Sequence, residues 1–205
     1  MKPKFFNIAE IQDAEIIEDE SPTSLVKSGI HVEQFLQLHE YRINSIKDLI
    51  GQKPMENQVF FLWSVHSFNA FTFIPFAIKE CGQILELIIA TYSISTRIIE
   101  ALIKLIDKGL VLSVHITISD SIRTRLPQVY DQLMILVETK PVTVLYSWNH
   151  SKISLIRTQE DYFIVEGSGN WGENAQHEQY VFLNSKSVFE FRKNEILNAI
   201  KPRTV

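Results

Sequence analysis

From about Gln58 onward the sequence alternates β-branched and apolar runs with amphipathic helical runs, and this alternation limits the fold more than any other feature. Val59–Val65, Ile84–Tyr92, Val111–Ile118 and Val142–Trp148 read as strands, with Ile74–Glu80, Thr96–Lys108 and Leu126–Thr139 as helices between them. In the second helix Ile98, Ile99, Leu102, Ile103, Leu105 and Ile106 recur on one side, and Gly109 supplies a C-terminal stop. Pro75 is tolerated because it falls in a first turn. Lys152–Arg157 and Tyr162–Glu166 read as two strands joined by the polar turn Thr158-Gln159-Glu160-Asp161. Tyr180–Leu183 is a short apolar strand. Ser187–Ile200 reads as a terminal helix, with Ser187 as N-cap and Glu190 at the capping-box spacing. Such alternation implies an α/β sandwich: a mixed, largely parallel sheet with helices on both faces. Ligands of these folds gather beyond the C-terminal strand ends, which directs attention to the polar residues after Val65, Thr91, Ile118 and Trp148.

The N-terminal part differs in character. Residues 1–30 form an acidic tail with Ser21-Pro22-Thr23-Ser24 and no sustained period, a candidate for disorder. Within residues 1–20 there are six acids and two bases, while the remaining 185 residues carry 18 of each. Val32–Ile50 reads as a helix closed by Gly51 and Lys53-Pro54, so residues 31–57 are expected to be a helical extension and residues 58–205 the main domain. A strongly basic balance would have announced a nucleic-acid partner, and it is absent. The single cysteine, Cys81, excludes an internal disulfide framework and a Cys-based zinc site. No apolar run reaches the ~18 residues that span a bilayer, and no leader-like block opens the chain. A cytoplasmic globular protein is expected.

Glycine is scarce, seven in the chain, yet Gly167, Gly169 and Gly172 fall within six residues. They sit in Gly167-Ser168-Gly169-Asn170-Trp171-Gly172-Glu173-Asn174, directly after a strand. Glycine there permits close approach of backbone to a ligand, and Ser168 and Asn170 add donors. The segment also reads as a plain strand-ending turn. Its spacing does not fit a dinucleotide fingerprint. Upstream lies Asn149-His150-Ser151-Lys152. Residues i and i+2 of a strand share a face, so His150 and Lys152 project together. The hairpin brings them toward Ser168 and Asn170. An imidazole, an ammonium, a hydroxyl and an amide make an anion site. Glu178 is placed to accept a hydrogen bond from the imidazole and fix its tautomer. Alone, His150 reads more readily as a capping or surface histidine.

His150-x-Lys152, a hairpin, Gly167-Ser168-x-Asn170 and then Glu178 resemble the histidine–lysine (HKD) signature of the phospholipase D superfamily. Upstream, Leu87–Ser95, Thr96–Gly109 and Val111–Ile118 resemble the strand, Tyr-Ser turn, helix and strand of that superfamily's short bacterial endonucleases. The resemblance covers roughly Val59–Phe191. One departure stands out. The family's aspartate five residues after the lysine is here Arg157, and the hairpin is about three residues longer than usual. Counting back from Gly167 puts Glu160 at the acidic position, with Asp161 beside it.

The resemblance implies metal-free, cofactor-free phosphodiester chemistry. Family members use two copies of the signature, and no other histidine here has lysine at i+2. A single-copy chain resembles the members whose composite site forms across a homodimer axis. One His150 would attack phosphorus, and its counterpart would protonate the leaving oxygen. Lys152 and Asn170 would hold phosphoryl oxygens, with Ser168 assisting and Glu178 orienting His150. Gly167, Gly169, Trp148 and Trp171 would contact substrate, Trp171 being the best base-stacking candidate; Trp63 is expected in the core. Arg123, Arg125 and Arg157 read as solvated surface or phosphate contacts. The expected activity is a nuclease. Two other readings stay open: a silent phosphate- or nucleic-acid-binding module, and a lipid or small-molecule phosphodiesterase.

Overall fold

The computed structural model describes residues 37–66, 68–172 and 177–198. The expected acidic tail, the segment 32–36, Glu173, Asn174 and the last turn of the terminal helix lie outside the described residues.

Eight strands form one sheet: β1 (Gln37–Ile43), β2 (Gln58–Ser64), β3 (Glu86–Thr91), β4 (Val114–Ser119), β5 (Val142–Ser147), β6 (Ile153–Arg157), β7 (Tyr162–Gly167) and β8 (Gln179–Asn184). Their order is β1-β2-β8-β7-β6-β3-β4-β5. The two ends of the sheet are parallel, β1 with β2 and β3 with β4 with β5, while the middle strands pair antiparallel. The helices are α1 (Phe73–Cys81), α2 (Thr96–Asp107), α3 (Ile122–Arg125), α4 (Pro127–Thr139) and α5 (Lys186–Leu197).

Both sheet faces are covered, which explains why β3 reads as a continuous apolar run rather than an alternating one. On one face Leu87 and Ile89 pack with Phe73 and Ile74 of α1, Ile99 and Leu102 of α2, and Leu133 and Leu136 of α4. On the other, Ile88, Ala90, Leu155 and Ile164 pack under Phe189 and Ile196 of α5. Each large apolar side chain buried this fully contributes roughly 1.5–3 kcal/mol.

Two local expectations change. The helix expected over Val32–Ile50 is strand β1 from residue 37, followed by a 3-10 turn at Ile46–Leu49. Residues 37–57 therefore join the sheet and form no separate helical extension. The spacing of Tyr41, Ile43 and Ile46 suits either period. Partners decide it: His39 and Tyr41 each set their rings 5.1 Å from Phe60 of β2, while Glu40 and Arg42, alternating with them, stay exposed. A capping box, Ser45 with Asp48, starts the 3-10 turn. The terminal helix begins at Lys186, with Ser185 rather than Ser187 as N-cap, accepting from Val188 N. The reason is that β8 ends at Asn184, whose side chain is buried and hydrogen-bonded, so the chain must turn there.

The topology collects one end of every central strand. The C-termini of β2, β3, β4, β5 and β7 and the starts of β6 and β8 lie together. All the sequence-predicted site residues are at this end or in the loops that leave it.

Candidate active site

Between β5 and β6 the chain makes a five-residue link, Trp148 to Lys152. Asn149 fixes it. Its Nδ2 donates to the carbonyl of Thr91 at 3.1 Å and to that of Thr117 at 3.2 Å, and its Oδ1 accepts from Ser151 N. The next residue, His150, is thereby held above the ends of β3 and β4, exposed to solvent. His150 and Lys152 precede β6 rather than lying in it, yet they stay adjacent. Lys152 Nζ is 3.3 Å from His150 Nδ1 and donates to the His150 carbonyl at 3.1 Å. The imidazole leans on Tyr92, with ring centroids 4.9 Å apart.

The second arm of the site is β7 and the turn after it. Gly167 N donates to the Lys152 carbonyl at 3.2 Å, tying the two arms. A Cβ at Gly167 would sit 2.2 Å from the Gln179 carbonyl oxygen and 2.7 Å from the Tyr180 ring, so only glycine fits. Ser168 Oγ donates to Glu178 Oε2 and accepts from Gln179 N at 3.1 Å. Glu178 N donates to the buried Ser64 Oγ at 2.7 Å. His150, Lys152, Gly167 and Ser168 thus line one shallow pocket of about 460 Å³ with Glu166. Glu166 would repel an anion, but Arg192 of α5 binds both of its carboxylate oxygens, at 2.6 and 3.0 Å. Among the described residues that line this pocket, Lys152 is the charge without an ion pair.

Other predicted residues are placed differently. Glu178 bonds Ser168, and His150 has Lys152 and Tyr92 as its partners. Asn170 lines a neighbouring pocket, with its Oδ1 buried and without a partner among the described residues. Gly169 is buried beside it. Trp171, expected to stack bases, is 1% exposed and donates its indole N–H to Ser154 Oγ at 3.0 Å. It is a core plug with no free face. Trp63, expected in the core, is 52% exposed and stacked on His177. Trp148 is 81% exposed beside His150. Arg157, five residues after Lys152, faces Glu86 at 3.5 Å. Glu86 also binds Lys193 of α5. The hairpin acid that is buried is Asp161, which accepts from Lys53, Asn184 and Cys81; Glu160 is exposed. Among the described residues no group of three or more His, Cys, Asp or Glu gathers as a metal site.

Sequence reasoning gave no role to Asn149 and Tyr92, and it read Arg125 only as solvated surface or a phosphate contact. The signal was present in the rule that polar residues after strand ends deserve inspection. Tyr92 follows Thr91, and Arg125 lies in the short helix after β4.

No protein-family model matches the chain, and no curated protein matches it. Solved structures do. The polyphosphate kinase from Porphyromonas gingivalis matches with a TM-score of 0.51 at 15% identity, over 80% of this chain and 28% of its own. The two share a fold. Phosphatidylserine synthase from Haemophilus influenzae Rd KW20 matches at TM-score 0.47 and 11% identity, over 69% of this chain and 38% of its own. TrmBL2, an archaeal chromatin protein, matches at 0.44 and 11%, over 77% and 56%. The chain spans less than two thirds of each of these proteins. What carries across is the architecture: a mixed α/β sheet flanked by helices. No helix among the described residues is long and apolar enough to cross a membrane.

Proposed function

We propose that this chain is a metal-independent phosphodiesterase of the phospholipase D type, a nuclease in its natural setting, working at a site shared by two protomers. The observation that carries the reading is the His150–Lys152 pair beside Ser168–Glu178 at the strand ends. The fold shared with a structure named polyphosphate kinase supports phosphoryl chemistry at a coarser level.

The steps are those that the phospholipase D resemblance implies. A diester phosphate enters beside Lys152, whose ammonium moves from the imidazole to a phosphoryl oxygen. This frees the ring nitrogen that faced the lysine to carry the proton, and leaves the other ring nitrogen nucleophilic. That nitrogen attacks phosphorus. The N–P bond forms, the P–O bond to the leaving alcohol breaks, and the second protomer's His150 gives that oxygen its proton. Water then attacks the phosphohistidine, passing a proton back to the second His150, and His150 is regenerated with release of a phosphomonoester. Asn170 assists as a hydrogen-bond donor through its side-chain amide, and Glu178 positions Ser168 by taking its hydroxyl proton.

The test is hydrolysis of single- and double-stranded DNA, RNA and bis(p-nitrophenyl) phosphate in EDTA, beside His150→Ala and Lys152→Ala. Wild-type cleavage, with losses of at least about 100-fold in each variant, is expected. Loss of wild-type cleavage on chelation, with rescue by a divalent metal, overturns the mechanism. A second reading is a silent phosphate-binding module, favoured by Arg157 at the acidic position and by the engagement of Glu178 with Ser168. No turnover of any substrate by folded protein, with phosphate-dependent binding retained, selects that reading.

A further inference from the structure

Next to the His150 pocket lies a second one of about 590 Å³, within the range of ligand pockets. Its polar lining is Ser93, Ser95, Thr96, Arg125, Gln128 and Asn170, and none of the described residues lining it is acidic. The guanidinium of Arg125 stands 4.3 Å from the ring centroid of Tyr92, the ring that supports His150. Its Nε donates to Ser121 Oγ at 3.1 Å. Two residues away, Arg123 lies 4.8 Å from the Tyr146 ring and 5.5 Å from the Tyr130 ring. Neither arginine makes an ion pair with a carboxylate among the described residues. Ser95 is the N-cap of α2, yet its hydroxyl makes no capping bond.

We infer that Arg125 and this pocket form a second phosphate subsite, which takes the phosphodiester next to the scissile one in an oligonucleotide. The inference rests on the phosphodiesterase reading for the place of the scissile phosphate. A guanidinium laid on an aromatic face is held in position while its N–H edges stay free for a planar or tetrahedral oxyanion. Lys152 alone suffices for one diester. Lys152 and Arg125, with His150 and the Tyr92 ring between them, make a short row that suits two in succession. The row also answers the chain's overall charge of −4. The bases need only be local to hold a strand.

The experiment uses the full chain and a fluorescent single-stranded dodecanucleotide, with binding followed across salt concentrations. Arg125→Ala is expected to weaken binding about 10-fold and to reduce the salt slope by about 0.7. Arg125→Lys is expected to keep the slope and lose part of the affinity. Lys108→Ala, at the far end of α2, serves as the charge control. On hydrolysis, the loss in Arg125→Ala should be about 10-fold greater for the oligonucleotide than for bis(p-nitrophenyl) phosphate. Arg125→Ala binding like wild type, or a drop in Lys108→Ala as large, overturns the subsite. Arg125-dependent binding to phosphatidylglycerol vesicles, with none to the oligonucleotide, also overturns it in favour of a lipid. Arg125-dependent oligonucleotide binding without any hydrolysis keeps the subsite and overturns the phosphodiesterase. Thermal unfolding of each variant separates these effects from misfolding.

Discussion

An alanine methyl at position 167 would meet the Gln179 carbonyl oxygen at 2.2 Å, and backbone on both sides would have to give. Gly167→Ala is therefore expected to destabilise the protein by about 2 kcal/mol, the usual cost of overpacking, and to lower the melting temperature by about 4–8 °C. Gly172→Ala, with nothing within 4 Å of the added carbon, is the matched control. Equal melting temperatures for the two variants would show that β7 and β8 can separate at no cost. This contrast also explains what the glycine cluster signified. Its spacing promised close backbone approach, and at Gly167 the approaching group is the protein's own neighbouring strand. Cys81, by comparison, is inert by placement: burial first, then the hydrogen bond to Asp161, push its thiol up to about 11.

Among the elements, β4 carries a titrating group the sequence did not mark. His115 contacts Thr143 Oγ1 at 2.7 Å and Thr117 Oγ1 at 3.3 Å, between strands. Burial lowers its pKa from the ordinary 6.5, more than the Glu86 charge raises it. The folded state thus binds this proton less readily than the unfolded state does. The associated stability is present above pH 6.5 and is lost as pH falls below that value. Melting temperature should fall between pH 7.5 and 5, and His115→Gln should shrink that fall. An identical fall in the variant would exclude His115 as its source. The strand itself was legible, because β-branched residues bounded by turn signals specify it locally. So were the helices α2 and α4, and the hairpin of β6 and β7. What stayed hidden was set by partners distant in sequence. β1 is a strand because Phe60 receives His39 and Tyr41. Trp171 is buried because Ser154 and Phe71 lie 17 and 100 residues away. The lengthened hairpin kept a buried acid only because Lys53, Asn184 and Cys81 converge on Asp161. Glu160, the first choice by counting, has no such partners.

For the molecule as a whole, one histidine–lysine pair per chain sets a stoichiometric question that a mixing experiment answers. The proposed chemistry needs two imidazoles, one to attack phosphorus and one to protonate the leaving oxygen. The described residues place no second histidine against His150, whose neighbours are Lys152 and Tyr92. His177, the nearest in chain order to Glu178, turns instead to the Ser64 carbonyl and Trp63. A closed two-fold interface supplies the missing group by symmetry, since whatever one protomer offers the other offers too. If wild type and His150→Ala are refolded together in equal amounts, about a quarter of the dimers are wild-type pairs, half are mixed and a quarter are variant pairs. A shared site leaves the mixed dimers inactive, so activity should be about a quarter of that of the same total amount of wild type. Independent sites would give about half. The measurement is a rate ratio on bis(p-nitrophenyl) phosphate, taken with the mixed species confirmed by a size tag on one partner. A ratio near one half would move the acid's role to a group within the same chain, and Lys152 would be the first residue to test for it.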